Sequence, residues 1–327
     1  MKKKIKKIGV FTSGGDAPGM NAAIRAVVRT ALNYGTEVYG IYRGYDGMIT
    51  NDIVKLESKD VSGIIQRGGT ILKSARSKDF RTPEGREKAY ENLKKHGIEG
   101  LIAIGGDGTF TGANIFHKEF DIPVVGIPGT IDNDLYGSDL TIGYDTAMNT
   151  VIEAVDKIRD TAGSHNRLFF IEVMGRDAGF IALNTGIATG AEDILIPETK
   201  TYLEDLILTL RQNKRKGKTS GIIIVAEGDD LGGAYEVARK VKEYDNSYST
   251  RVTVLGHIQR GGSPTLIDRV LASYLGYHAV VGLYKGKAHH TVGRVNGKLL
   301  FTELSKAIKH HNSIDRDLLN LARILST

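Results

Sequence analysis

The strongest constraint on the fold is an alternation of short apolar runs with amphipathic stretches. Runs at 6–13, 37–42, 101–104 and 124–127 have strand length, while 20–34, 84–95 and 109–119 carry helical periodicity. Pro18 is expected to open the first helix and Gly35 to stop it. Strands apolar along their whole length need cover on both faces, which parallel strands with right-handed helical crossovers provide. The rhythm therefore predicts a layered α/β architecture whose ligands sit beyond the carboxyl ends of the strands.

The stretch 144–161 places Ala147, Met148, Val151, Ile152, Val155 and Ile158 on one stripe, that of a long amphipathic helix able to bridge two domains. The rhythm then restarts, with strands at 168–173, 222–226 and 252–255 and helices at 202–213, 234–243 and 266–284. The expectation is two layered α/β lobes with mainly parallel sheets facing a cleft. No low-complexity linker or short repeat interrupts them.

Composition narrows the function. Five of the six excess positive charges are Lys2, Lys3, Lys4, Lys6 and Lys7, so the basic balance belongs to the N-terminal tip, and no nucleic-acid partner is expected. Absence of Cys excludes disulfides, thiolate metal sites and cysteine nucleophiles. No apolar run approaches the ~20 residues of a membrane span, and 8–13 is too short for a signal peptide, so the expected setting is cytoplasmic. Glycine is in excess, 40 of 327 residues against a usual ~7%. Loops lined by backbone are expected.

Three such loops follow predicted strands: Ser13-Gly14-Gly15-Asp16, Gly105-Gly106-Asp107-Gly108-Thr109, and the run from Pro128 through Gly129, Thr130, Ile131, Asp132 and Asn133 to Asp134. On parallel strands they would share one rim, where glycines admit phosphate oxygens to backbone N–H groups and a helix start offers its positive end. Carboxylates without His or Cys suit a hard cation such as Mg²⁺, with Asp107 the best candidate ligand. Asp132 and Asp134 alternate along an extended segment, so one can accept a hydroxyl proton while the other supports the metal. Arg76, Arg167, Arg176, Arg251, Arg260 and His257 supply the cations a sugar phosphate needs. The pairs His289-His290 and His310-His311 lack carboxylate support and read as surface. Gly217-Lys218-Thr219 resembles the end of a Walker A loop but lies between a helix and a strand, the reverse of the required order.

Taken together these residues resemble the ATP-dependent 6-phosphofructokinase family of bacterial type. The resemblance extends over nearly the whole chain through Thr12 to Asn21, Gly105 to Thr109, Pro128 to Asp134, Glu172 to Arg176, Ala226-Glu227-Gly228 and Gly256 to Pro264. It implies the phosphofructokinase fold, with 1–142 and 256–305 binding nucleotide and 143–255 and 306–327 binding sugar phosphate and effector. It implies transfer of the ATP γ-phosphoryl group to the 1-hydroxyl of fructose 6-phosphate. Gly15, Arg76, Ser77, Gly106, Asp107, Gly108 and Thr109 would hold ATP, with Asp107 on Mg²⁺. Asp132 would be the general base, Thr130 and Arg176 would stabilise the moving phosphoryl group, and Asp134 would assist near the metal. The sugar phosphate would meet Thr130, Ile131, Asp132, Met174, Gly175, Arg176, Glu227, His257, Ile258, Gln259 and Arg260, with Arg167 and Arg251 reaching in from a neighbouring subunit of a homotetramer. An effector site for ADP and phosphoenolpyruvate would use Arg25, Ala26, Val27, Val28, Arg29, Arg159, Gly190, Ala191, Glu192, Lys216, Lys218, Thr219 and Ser220. Lys216 stands where many members have Arg, and Ser58 where some have a further Arg. The alternatives are a pyrophosphate-using enzyme of the same fold, in whose relatives Asp replaces Gly108 and Lys replaces Gly129, and a catalytically silent phospholigand-binding subunit. Gly108, Gly129 and the presence of Asp107, Asp132 and Arg176 favour the ATP enzyme.

Overall fold

The apolar runs become strands in the computed structural model, which describes residues 5–165, 167–218 and 220–325. The described strands are β1 (Lys7–Thr12), β2 (Glu37–Ile41), β3 (Ile53–Leu56), β4 (Gly100–Gly105), β5 (Val124–Pro128), β6 (Leu168–Val173), β7 (Asp193–Leu195), β8 (Gly221–Ala226), β9 (Thr250–Val254), β10 (His290–Val295) and β11 (Lys298–Glu303). The helices are α1 (Met20–Asn33), α2 (Tyr45–Thr50), α3 (Pro83–His96), α4 (Asp107–Phe120), α5 (Tyr144–His165), α6 (Phe180–Thr189), α7 (Leu203–Arg215), α8 (Gly233–Tyr244), α9 (Leu266–Tyr284), α10 (Leu304–Lys309) and α11 (Arg316–Leu325). Helix α1 starts at Met20 behind a left-handed Gly19, so Pro18 belongs to the preceding turn and does not open the helix.

Two compact units result. One runs to Ile131 and resumes over Leu135–Thr146 and Arg260–Asn312; the other holds Asp132–Asp134, Ala147–Gln259 and the segment from Ser313. In the first unit the sheet order is β11-β10-β5-β4-β1-β2-β3. Its centre is parallel, and antiparallel partners β3 and β11 close the two edges. Strands β4 and β5 are buried at every residue, as a sheet covered on both faces requires. The core beside it holds Phe11, Tyr45, Phe80, Phe110 and Phe116, and each such side chain contributes roughly 1.5–3 kcal/mol by leaving water. The second unit carries an all-parallel sheet of order β7-β8-β6-β9, with Leu168, Phe170, Ile223, Val225 and Val237 in its core.

One buried carboxylate fastens the first unit. Asp268, in the first turn of α9, accepts hydrogen bonds from the Gly143 and Thr146 N–H groups, each at 2.8 Å, and from the Thr146 hydroxyl. Burial pushes its carboxyl up from the ordinary aspartate range, and those donors partly offset the shift.

Candidate active site

The register of the first sheet brings the three glycine loops together. Thr12 lies opposite Ile104 and Gly105 opposite Pro128, so β1, β4 and β5 end at the same rim. Backbone hydrogen bonds then lace the loops: Ser13 N–H donates to Ile104 O at 3.1 Å, and Gly129 N–H to Gly105 O at 3.0 Å. The Thr109 hydroxyl donates to Ser13 O at 3.1 Å. A Cβ on Gly105 would lie 2.3 Å from Thr109 Oγ1 and 2.6 Å from Ser13 O, so the loops can approach this closely only with glycine there.

Two residues of the first loop motif act as pins for the irregular segment that carries Arg76 and Ser77. Asn21 donates to the carbonyls of Arg67 and Gly68 and accepts from Ile71 N–H, while Thr12 Oγ1 donates to Lys73 O at 2.7 Å. Gly14 N–H then reaches Ala75 O, which sets Arg76 beside the first glycine loop.

Helix α4 begins at this rim with Gly106 as its N-cap, and no side chain caps it. A helix start without a capping side chain is suited to an anion, because backbone N–H groups and the helix dipole both face it. A Cβ on Gly108 would meet nothing within 4 Å, so the first turn is open on that side. Asp107 Oδ1 is buried and has no hydrogen-bond partner among the described residues. Such a carboxylate oxygen fits a hard divalent cation, which would supply the missing partner. Arg260 also reaches the rim: its Nη1 donates to Asp16 O at 3.2 Å and lies against Gly15.

The chain passes from the first unit to the second within the third loop. Thr130 belongs to the first, where its carbonyl accepts from the Thr141 hydroxyl at 2.6 Å. Asp132 and Asn133 are buried, and Asn133 takes a left-handed φ of 55°. In the second unit, Met174, Gly175 and Arg176 follow β6, Glu227 follows β8 and His257 follows β9, so their parallel strands deliver all five to one edge of the sheet. Glu227 Oε1 accepts from the N–H groups of Gly175 and Arg176 at 3.3 and 2.7 Å, fixing that turn. Gly175 has φ 146°, and a Cβ there would stand 2.3 Å from Ala178 O, so the turn requires glycine. Arg176, itself left-handed at φ 54°, leaves its side chain exposed. Gln259 is fully buried; its amide oxygen accepts from Met174 N–H and its amide nitrogen donates to Gly256 O. Ile258 beside it is exposed.

Arg167 and Arg251 are not at that edge. Arg167 precedes β6, and Arg251 pairs with Phe169 near the start of β9. Six residues of strand separate Arg167 from Val173, roughly 20 Å at ~3.3 Å per residue.

Comparison with known proteins decides the family. The phosphofructokinase family model matches residues 7–283. The ATP-dependent 6-phosphofructokinase 1 of Thermus thermophilus is 58% identical over 322 residues, covering 98% of this chain and 100% of that protein. The chain belongs to the phosphofructokinase family. The ATP-dependent 6-phosphofructokinase 2 of Bacteroides thetaiotaomicron is 56% identical over 98% of the chain and 99% of its own length. Among solved structures, phosphofructokinase from Saccharomyces cerevisiae is 38% identical with a TM-score of 0.89; this phosphofructokinase chain is covered to 98% but spans only 48% of the yeast chain. A pyrophosphate-dependent phosphofructokinase from Marinobacter aquaeolei, 23% identical with a TM-score of 0.85 over 99% of this chain and 92% of its own, shares the fold.

The residues expected at an effector site fall in both units. Arg25 and Arg29 lie on the outer side of α1, whereas Ala26, Val27 and Val28 are buried. In the second unit Arg159 donates to the carbonyls of Thr189 and Gly190. Glu192 accepts from Ile222 N–H at 2.7 Å, which sets Ala191 and Glu192 beside the segment that carries Ser220. Lys216 is the C-cap of α7, and Lys218 N–H donates to Asn213 O. Thr219 lies outside the described residues, as do Lys2, Lys3 and Lys4. Sequence reading put His289 on the surface; the structure half-buries it, stacked on His117. The sequence-distant neighbour it stacks on leaves no trace in local sequence. Among the described residues, no helix is long and apolar enough to cross a membrane.

Proposed function

We propose that the chain transfers the γ-phosphoryl group of ATP to the 1-hydroxyl of fructose 6-phosphate, giving fructose 1,6-bisphosphate and ADP in the cytoplasm. The observation that carries this is the rim at α4: a helix start without a capping side chain, open space at Gly108 and an unpartnered Asp107 Oδ1, in a chain 58% identical to an ATP-dependent enzyme over its length. The first unit is the nucleotide-binding one, with Gly15, Arg76, Ser77 and Gly106 to Thr109 around the donor phosphates. Mg²⁺, when bound at Asp107, neutralises charge on those phosphates. Asp132 accepts the proton of the 1-hydroxyl as its oxygen bonds to the γ-phosphorus and the bond to the β-phosphate oxygen breaks. Thr130 and Arg176 stabilise the phosphoryl group in transit, and Asp134 assists near the metal. The second unit grips the sugar phosphate through Met174, Gly175, Glu227, His257, Ile258 and Gln259, with Arg260 adding charge. Purified protein, fructose 6-phosphate and Mg²⁺ in a coupled assay should turn over with ATP and not with pyrophosphate. Turnover with pyrophosphate alone, or with neither donor, overturns the reading.

The position of Arg167 and Arg251 supports shared sites in a homotetramer. They stand at the opposite end of their sheet from Met174 and His257, which favours their meeting the 6-phosphate in a neighbouring subunit's site. A variant inactivated at Asp132 and another inactivated at Arg251 are therefore expected to regain activity when mixed, dissociated and reassembled, because some hybrid interfaces hold one intact site. Hybrid tetramers seen by native mass spectrometry but no more active than either parent would refute sharing.

We also propose ADP and phosphoenolpyruvate as effectors, recognised through Arg25 and Arg29 of the first unit and Arg159, Lys216, Lys218 and Gly190 to Glu192 of the second. Lysine at 216 offers a point charge where arginine would grip phosphate through two parallel hydrogen bonds. ADP should relieve phosphoenolpyruvate inhibition, and Lys216→Arg should lower the ADP concentration needed. Fructose 6-phosphate saturation curves that ignore both ligands would reject the site; an unchanged ADP requirement in Lys216→Arg would reject the role of Lys216.

A further inference from the structure

We infer that His117, Asp121 and His289 form a binding site for a divalent transition metal of the Zn²⁺ class, separate from the phosphate rim. Each comes from its own backbone device in the first unit. His117 lies in the last turn of α4, and Asp121 is the helix's C-cap in a left-handed conformation, its N–H donating to His117 O at 2.8 Å. The i, i+4 spacing stacks the two side chains on one face. His289 arrives from the other side: its N–H donates to Val124 O at 2.6 Å, and the pairing of His290 with Val125 fixes it beside the strand that follows Asp121.

The three ligand atoms lie within 4.8 Å of one another. His117 Nδ1 is 3.8 Å from Asp121 Oδ1. Ligands at ~2.1 Å around a tetrahedral ion stand ~3.4 Å apart, so a small inward movement closes the set. The Nδ1 atoms of both histidines are buried and have no hydrogen-bond partner among the described residues. Two unmet ring nitrogens side by side are costly, and an ion satisfies both at once. The rings face each other with centroids 3.0 Å apart and 14° between planes, closer than the ~3.5–4.0 Å that carbon atoms prefer. Because each imidazole offers its lone pair in the ring plane, the two planes must turn apart for both nitrogens to meet one ion.

Two imidazoles and a carboxylate match Zn²⁺, Co²⁺ or Ni²⁺ better than Mg²⁺, which prefers oxygen. The Asp121 side chain is 98% exposed, which gives an ion a way in and leaves the fourth position to water. Ten helical residues, roughly 15 Å, separate His117 from Asp107, so this ion is not the phosphate metal.

The test uses the full chain, stripped with a chelator and held in excess Mg²⁺ so that the Asp107 site is filled. Calorimetry with Zn²⁺ should find one ion per chain, and Co²⁺ should give the visible absorption of a four-coordinate site. Asp121→Asn should weaken Zn²⁺ binding by ~10-fold or more, and its fold is secure because Asn tolerates a left-handed backbone. His289→Gln should abolish the Co²⁺ spectrum, and Asp107→Asn should leave it intact. No Zn²⁺ uptake by the unaltered protein, or uptake unchanged by both Asp121→Asn and His289→Gln, overturns the site and leaves a packed histidine pair.

Discussion

Asp132→Asn is expected to lower kcat by ~10²–10⁴ while the KM values for ATP and fructose 6-phosphate change by no more than about threefold. The side chain is buried, and asparagine keeps its size, so the change removes proton acceptance without opening a cavity. The neighbouring backbone also resists drift. Thr130 is held through its carbonyl by Thr141, and Ile142 N–H donates to Pro128 O at 3.0 Å, pinning the start of the loop. A fall in kcat/KM carried by kcat alone marks an interaction made only in the transition state. Steady-state kinetics on purified Asp132→Asn decide the matter: near-normal kcat would remove Asp132 from the role of base, and a rise in KM with kcat intact would make it a binding residue.

Most of the rim was legible in sequence because its signals are local. A strand followed by Gly-Gly-Asp needs no distant partner to be recognised, and β1, β4 and β5 lie within two residues of their expected ends. Elements whose cues depend on tertiary cover were missed. Helix α6 is apolar on nearly every side, so FIALNTGIAT shows no helical stripe, and β7 has only three residues. The β10–β11 hairpin did carry a local cue that sequence reading passed over: Asn296 and Gly297, both with positive φ, are the preferred pair for a tight hairpin turn. At the site, the residues assigned to phosphate were readable from type and spacing. The pins were not. Asn21 and Thr12 look like members of a binding motif, but their side chains hold the segment leading to Arg76, and Asp268 gives no sign in sequence that three donors converge on it. That Arg167 and Arg251 lie at the opposite end of their sheet from Met174 and His257 was already implied by parallel strands expected at 168–173 and 252–255, and the register agrees.

Gly108→Asp is expected to raise the KM for ATP by about a hundredfold while leaving the fold intact. A new Cβ at 108 meets no atom within 4 Å, so no packing is disturbed. The position lies in the first turn of α4, where an acidic side chain interacts favourably with the helix dipole and stabilises the protein slightly. The same location makes it harmful to the donor. A carboxylate there occupies the anion-binding end of the helix itself, and it repels a phosphate ~6 Å away by roughly 2–3 kcal/mol at an effective dielectric of ~20, the equivalent of a 30–150-fold loss of affinity. The melting temperature should therefore hold or rise while ATP binding collapses, a pair of changes that general damage to the fold does not produce. Efficient use of pyrophosphate should not appear, since Gly129 remains unaltered, at a position where an added Cβ would lie only 3.1 Å from Ile104 and Met20. Unchanged ATP kinetics in a folded Gly108→Asp variant would place the donor phosphates away from α4 and with them the assignment of Asp107 to the metal.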